Sequence, residues 1–237
     1  MAAALASEQA SPLMLGLDFG TSGARACVID ASGQVVYRDS VVFPGDAPQT
    51  PQDWRGALHG LIHNLPDTCA ARLGGIAIAA TSATVLLCDE ALEPTSPALL
   101  YDDSRARVEA EQLRQHAPPG HITGSPTSGL AKFLWLSTHV DIAESQYFMH
   151  QADWLAALLT GRGGVSDYHN ALKTGYDVEN LCWPQWVSQL PHAHLLPNVV
   201  APGAVLGPVS PAIAAHLNLD PACVVHAGTT DSNAAFI

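Results

Sequence analysis

Apolar residues fall along this chain in two rhythms, and the change of rhythm marks out its elements. Residues 13–18, 24–29 and 35–42 are short apolar runs bounded by polar or glycine-bearing turns, which predicts three strands. The turn DASGQ, with Gly33, joins the last two and predicts a hairpin. PQDWRGALHGLIHNLP then sets Trp54, Leu58, Leu61 and Leu65 at helical spacing, ended by Pro66. GGIAIAATSATVLLCD reads as strand, polar break, strand. Helices are predicted over 104–116, 130–140 and 152–159, and ACVVHAG near the end is another buried strand. Antiparallel strands followed by strands alternating with helices predict a mixed α/β layer fold. The Pro/Gly-rich LPNVVAPGAVLGPVSP reads as a crossing loop, and there is no internal repeat.

Composition narrows the function classes. With 237 residues, 48% hydrophobic and 14% charged, the chain can bury a sizeable core in one large domain or two small ones. Ten basic against 22 acidic residues give a net charge of -12, which argues against nucleic acid or an anionic membrane as partner. No apolar run approaches the roughly 20 residues of a membrane span. MAAALASEQASP lacks a basic start and a long apolar core, so residues 1–12 are expected to be a disordered extension rather than a signal peptide. Cys27, Cys69, Cys88, Cys182 and Cys223 are scattered, which predicts reduced thiols in a cytoplasmic protein rather than a disulfide framework.

LGLDFGTSGARACVID holds the first candidate chemistry: a carboxylate, Asp18, at the end of an apolar run, then Gly-Thr-Ser-Gly, then a second run. A P-loop would need Gly-Lys, but the two lysines, Lys132 and Lys173, do not follow glycine. A dinucleotide fingerprint would need G-x-G-x-x-G leading into a helix, and this segment leads into a strand. What remains is a tight turn in which Gly20 and Gly23 free the backbone for an anion nest, with Thr21 and Ser22 as hydroxyl donors. Asp18 suits a hydrated Mg²⁺, which takes one carboxylate plus waters and phosphate oxygens. On spacing alone an ordinary polar hairpin turn explains the segment equally well.

Several segments together carry a resemblance. GLDFGTSGAR, ATSATVLLCD, LLYDDSRA, QADWLAALLTG, SDYHNALKTGYD and AGTTDSNAAF resemble, in order, the motifs of the FGGY carbohydrate kinases. Among these the chain looks most like the D-ribulose kinases (xylulose-kinase-like) of cyanobacteria and plants. The resemblance runs from about residue 13 to the last residue. It implies an RNase H-like fold of the actin/hexokinase/Hsp70 ATPase superfamily, with a mixed sheet flanked by helices. It also implies ATP-dependent phosphorylation of a ketopentose, D-ribulose first, with ATP and Mg²⁺ as cofactors. By resemblance Asp18 sits at the metal, while Gly20, Thr21, Ser22, Arg25, Gly228, Thr229 and Thr230 surround the phosphates.

Asp231, after Gly228-Thr229-Thr230, reads either as a helix cap or, by resemblance, as the general base and a second metal neighbour. A carboxylate is a weak base for an alcohol, but phosphoryl transfer tolerates this because its transition state is loose and positioning dominates. Thr81, Ser82 and Ala83 read as a polar hairpin turn or, by resemblance, as the sugar-facing position. Xylulose kinases commonly carry Gln-Met-His there, and its absence disfavours D-xylulose. Asp103 reads equally as a sugar contact or as the cap of the following helix. Asn170 and Lys173, three apart on a predicted helix, share a face. They read as a solvated face or as sugar contacts. His192 and His194 alone make no metal site, and Trp54, Trp135, Trp154, Trp183 and Trp186 read as core anchors.

FGGY kinases continue into a second domain that supplies the adenosine site, so residues 13–237 are expected to be the N-terminal domain with the C-terminal ATP-binding domain absent, and phosphorylation by this chain alone is expected to be incomplete. The face meant for that domain is expected to expose apolar surface and invite association. The rival readings are a non-catalytic sugar- or partner-binding member, a kinase of D-xylulose or another polyol, and an ATPase of the actin/Hsp70 type.

Overall fold

The computed structural model describes residues 11–45 and 47–236. The predicted N-terminal extension therefore lies outside the described residues except for Ser11 and Pro12. Arg72 donates to the Ser11 carbonyl at 3.0 Å.

The chain opens with β1 (Leu13–Phe19), β2 (Gly23–Ile29) and β3 (Val35–Val42), a meander at the positions the apolar runs predict. In β1 Leu13, Leu15, Leu17 and Phe19 point to one face and are buried, whereas Met14, Gly16 and Asp18 point to the other. Helix α1 (Pro51–His63) starts from a capping box in which Thr50 and Asp53 exchange hydrogen bonds, with Pro51 at its first position. A short turn of helix, α2 (Asp67–Ala70), leads into β4 (Leu73–Ala80). There follow β5 (Val85–Cys88), α3 (Arg107–His116), α4 (Gly129–His139), β6 (Tyr147–His150) and α5 (Gln151–Thr160). The last part holds β7 (Val165–Asp167), α6 (Tyr168–Ala171), α7 (Gln185–Ser188), β8 (Asn198–Val200), β9 (Val205–Pro208), α8 (Pro211–Leu217), β10 (Val224–Thr230) and α9 (Asp231–Phe236).

Six strands form one mixed sheet in the order β3-β2-β1-β4-β10-β9, with β1 and β10 both parallel to the central β4. One face is covered by α1, α5 and α8, whose Trp54, Leu58, Trp154, Leu155 and Ala214 join the sheet residues in the main core. A second, smaller core lies between the β5–β6 pair and helices α3 and α4. The opposite sheet face carries small residues and is open above Gly16, Cys27, Ala77 and Ala79, flanked by α9 and the turn at Pro202 and Gly203. Among the described residues no helix is long and apolar enough to cross a membrane. Cys69, Cys88 and Cys223 are buried and Cys27 half-buried, whereas Cys182 is exposed, and all five are unpaired. Burial pushes the Cys88 thiol up to about 12, with Asp89 adding to it, so this thiol is a packing residue and not a nucleophile.

Four expectations change. The strands on either side of the 81–84 break do not pair with one another; β5 leaves the large sheet and pairs with β6 instead. The predicted crossing loop contains β8 and β9, and β9 forms the edge of the sheet, a position that tolerates Pro208, which stands opposite Val224 of β10. Helix α3 starts at Arg107 rather than at residue 104. SDYHNALKTGYD is not one helix: it begins in β7, makes the single turn α6 and continues as a 3-10 turn over residues 172–174.

Candidate active site

Sheet topology brings the candidate segments together. Asp18 of β1 and Thr229 of β10 both lie level with Ala79 of β4, and Phe19 and Thr230 both lie level with Ala80. The turns that follow these three parallel strands leave the sheet along one edge, at the carboxyl ends where ligands bind in open α/β sheets. Residues more than 200 positions apart in sequence thus share a mouth.

The first turn is built for exposed amides. The Gly20 N–H donates to the Gly23 carbonyl at 2.9 Å, which closes it. A Cβ on Gly23 would stand 2.2 Å from the Val41 carbonyl, so the close approach of β3 requires glycine. Thr21 and Ser22 are exposed, and among the described residues their N–H groups make no hydrogen bond. Two adjacent free amides with two hydroxyls make an anion nest chemically available. Gln49 holds this turn, which the sequence did not reveal. Its Nε2 donates to the Thr21 carbonyl at 2.6 Å and the Gly20 carbonyl at 3.3 Å, and its Oε1 accepts from the buried Trp54 Nε1 at 2.7 Å. Gln49→Leu strands the indole N–H and frees the turn, and is expected to lower stability by about 1–3 kcal/mol, read by urea unfolding.

Asp18 is half-buried and faces Arg25, whose Nη1 donates to Oδ2 at 3.1 Å. With side chains 39% and 66% exposed this pair is worth about 0–1 kcal/mol, so an incoming cation or phosphate can replace it. Among the described residues no group of three or more His, Cys, Asp or Glu could cage a metal unaided. A lone strand-end carboxylate beside an amide nest is the donor set for Mg²⁺ arriving with its own phosphate oxygens and waters.

At the end of β10 the pairing with β4 slips between His226 and Thr229. Gly228 sits in that slip, and a Cβ there would stand 1.8 Å from the Ile78 carbonyl. Thr229 is half-buried, and its Oγ1 lies 2.8 Å from His169 Nδ1 on α6. The two side chains share the open sheet face, a cavity of about 510 Å³, with Asp18, Arg25 and Gly228. His169 belongs to a segment that stands out in the sequence, but its pairing with Thr229 spans 60 positions and leaves no local signal. Thr230 is buried, and its Oγ1 accepts from the Asn233 N–H at 3.4 Å, the geometry of a helix cap. That leaves Asp231 half-exposed in the first turn of α9, with Oδ1 accepting from the Ser232 N–H at 2.7 Å.

On the other side of the Gly20–Gly23 turn is a cleft of about 220 Å³ between the 81–84 turn, residues 100–102, and residues 44, 45 and 47–49, with Thr21 on its rim. Thr81 Oγ1 lies 2.7 Å from both Thr84 Oγ1 and Gln151 Oε1, so its hydroxyl is held in a buried network. Gln151 Nε2 is buried without a partner among the described residues. Ser82 is half-buried and Ala83 buried, and Ala83 takes a left-handed φ of 60°.

Asp103 does not cap α3, whose first turn has no side-chain cap. Both its oxygens grip Arg105, and it is Asp102 that lines the cleft. Burial opposes ionisation of Asp103, but hydrogen bonds and charge from Arg105, with Lys132, outweigh it and hold the carboxyl below its ordinary value. Asn170 and Lys173 do not share a solvated face: Asn170 has no exposed surface and donates from Nδ2 to Asp167 Oδ2 at 2.6 Å, while Lys173 is half-buried. Neither lines the cleft or the open face.

Comparison with known proteins places this arrangement. The family model described as the FGGY family of carbohydrate kinases, N-terminal domain, matches residues 13–237. A xylulose kinase of Klebsiella pneumoniae is 27% identical over 234 residues, 91% of this chain and 48% of that protein. A xylulose kinase of Streptomyces coelicolor is 29% identical, over 94% of this chain and 49% of its own length. Among solved structures, a gluconate kinase from Lactobacillus acidophilus superposes with a TM-score of 0.81 at 20% identity, over 94% of this chain and 48% of the other. The chain spans about half the length of the curated relatives it matches.

Proposed function

Because this chain belongs to the FGGY family of carbohydrate kinases, matched over residues 13–237, we propose that it carries the sugar-binding and phosphate-clamping part of an ATP-dependent sugar kinase whose acceptor is a ketopentose. The observation that carries the reading is the register that sets Asp18, Ala79 and Thr229 level across three parallel strands. It brings the amide nest, the 81–84 turn and Asp231 to one sheet edge.

In this reading the N–H groups of Thr21 and Ser22, with their hydroxyls and Thr229 Oγ1, hold the transferring phosphate oxygens. Asp18 would hold Mg²⁺, which when bound neutralises charge on the ATP phosphates. The sugar enters the cleft between Thr84 and Asp102. Its attacking hydroxyl oxygen forms the new bond to the γ-phosphorus, the bond from that phosphorus to the bridging oxygen of ADP breaks, and the hydroxyl proton passes to the Asp231 carboxylate. Phosphoryl transfer asks the protein mainly for positioning and charge stabilisation, which this edge supplies. The open sheet face is where a complementary half of the enzyme, or a second copy, would pack.

D-ribulose is the substrate the sequence motifs favour, since Thr81-Ser82-Ala83 stands where xylulose kinases commonly carry Gln-Met-His. Several relatives are named xylulose kinases, which favours D-xylulose. Calorimetric titration of the chain with D-ribulose, D-xylulose, gluconate and glycerol tests both points. Saturable binding of a ketopentose, weakened by Asp102→Ala, is the expected result. Binding of none of the four would sink the sugar reading.

A further inference from the structure

Lys132 is one of two lysines in the chain and sits where a lysine is least expected, on the apolar helix α4 with no exposed surface. Its ammonium faces no ion-pair partner within 4.0 Å among the described residues. Instead Nζ donates to the carbonyls of Ala83 at 2.8 Å, Leu100 at 2.6 Å and Tyr101 at 3.4 Å. An ammonium has three donors and all three are used. The acceptors belong to the two walls of the cleft: Ala83 lies between Thr81 and Thr84, and Leu100 and Tyr101 line it directly. Ala83 is also held at a left-handed φ, a conformation that persists only where its surroundings fix it.

We infer that Lys132 is the positioning residue of the sugar cleft, a charged staple that sets the separation of its two walls without touching the sugar. The inference deepens the kinase reading and rests on it for the identity of what fills the cleft. Its logic is donor number. A neutral amine keeps two N–H donors, so loss of the proton must release one carbonyl, and the longest bond, to Tyr101, is the first candidate. Burial lowers the proton affinity of Lys132 to about 8, against the opposing pull of Asp103 and Asp102 on the neighbouring segment; Lys173 adds to the lowering, and Arg105 is paired with Asp103.

The sign of the two consequences differs. The folded value lies below the ordinary 10.5, so between about pH 8 and 10.5 the unfolded chain binds more protons, and the contribution of Lys132 to global stability rises with pH through that window. Over the same window the staple weakens, so ketopentose affinity falls and amide exchange in the cleft walls speeds up. A merely structural lysine would move affinity and exchange with stability, not against it.

The experiment is amide hydrogen exchange of the full chain, corrected for intrinsic rates, at pH 7 and pH 9.5. The reporters are the N–H groups of Thr84, Val85 and Asp103, which donate to the carbonyls of Thr81, Leu99 and Leu100. Wild type is expected to lose protection at these sites by at least about tenfold at the higher pH, the equivalent of one lost hydrogen bond to a charged group. Lys132→Met is expected to show the weaker protection at both pH values. D-ribulose and D-xylulose titrations in parallel are expected to show affinity falling with pH in wild type and flat and weak in the variant. If Lys132→Met does not fold, the wild-type exchange series alone decides. Unchanged protection across the pH window overturns the staple whether or not sugar binds, whereas absence of sugar binding with the exchange change intact overturns only the kinase reading.

Discussion

Gly228→Ala is expected to destabilise the domain by about 3 kcal/mol or more, the upper range for forcing atoms into a filled space. The added Cβ would meet the carbonyl oxygen of Ile78 at 1.8 Å, and that oxygen is backbone in the central strand, so no side-chain rotation can relieve the clash. Either β10 moves off β4 or its last residues change path. In a domain of this size the loss corresponds to a fall in Tm of roughly 6–12 °C. Calorimetry beside Gly56→Ala gives the contrast. Gly56 lies inside α1 with open space at its Cβ, so alanine there is expected to stabilise by about 0.5–1 kcal/mol. Equal effects from the two substitutions would mean that the slip between β4 and β10 is not as tight as described.

The second large effect is expected at Asp231. Asparagine keeps the size of the side chain, and its Oδ1 can still accept from the Ser232 N–H, so the fold should be unchanged. Because Thr230 caps α9, removing the charge costs no cap. Catalysis should fall by about 10²–10⁴, the usual worth of a positioned general base, with ketopentose binding retained. Equal loss of binding and turnover would assign Asp231 to ground-state binding instead.

How far the sequence reveals these features follows from how local each signal is. The first three strands are legible because Leu13, Leu15, Leu17 and Phe19 alternate cleanly with outward residues, and α1 because its apolar spacing and its Thr50–Asp53 box lie within 13 helical residues and the one before them. The edge strand β9 is hidden by its own Gly207 and Pro208, which read as loop although an edge tolerates both. Partner choice is hidden too. Nothing in VLLC says that β5 pairs with residues 147–150 rather than with the strand just before it.

The same division runs through the site. Asp18, the Gly20–Gly23 turn and Asp231 lie in contiguous motifs, and the sheet register sets them at one edge. The residues that hold the site in shape do not announce themselves. Gln49 acts from a loop, His169 meets Thr229 across 60 positions, and Lys132 spans 32 and 49 positions to its main partners. Asn170 shows the converse, for in a suggestive motif its Nδ2 is used on Asp167 while its Oδ1 is buried without a partner among the described residues. Burial raises the Asp167 carboxyl above its ordinary value, with the charge of Asp153 adding to it, and the Asn170 bonds partly offset this.

The central claim is that one sheet edge joins a sugar cleft to a phosphate clamp, and coupled release of ADP tests it most directly. The purified chain, supplied with the complementary half of an FGGY kinase, would be given Mg-ATP with D-ribulose, D-xylulose, glycerol or no sugar, beside Asp231→Asn. The account predicts release that depends on a ketopentose, exceeds that with glycerol and is lost in the variant. Nucleotide hydrolysis indifferent to every sugar and unchanged in Asp231→Asn would contradict it.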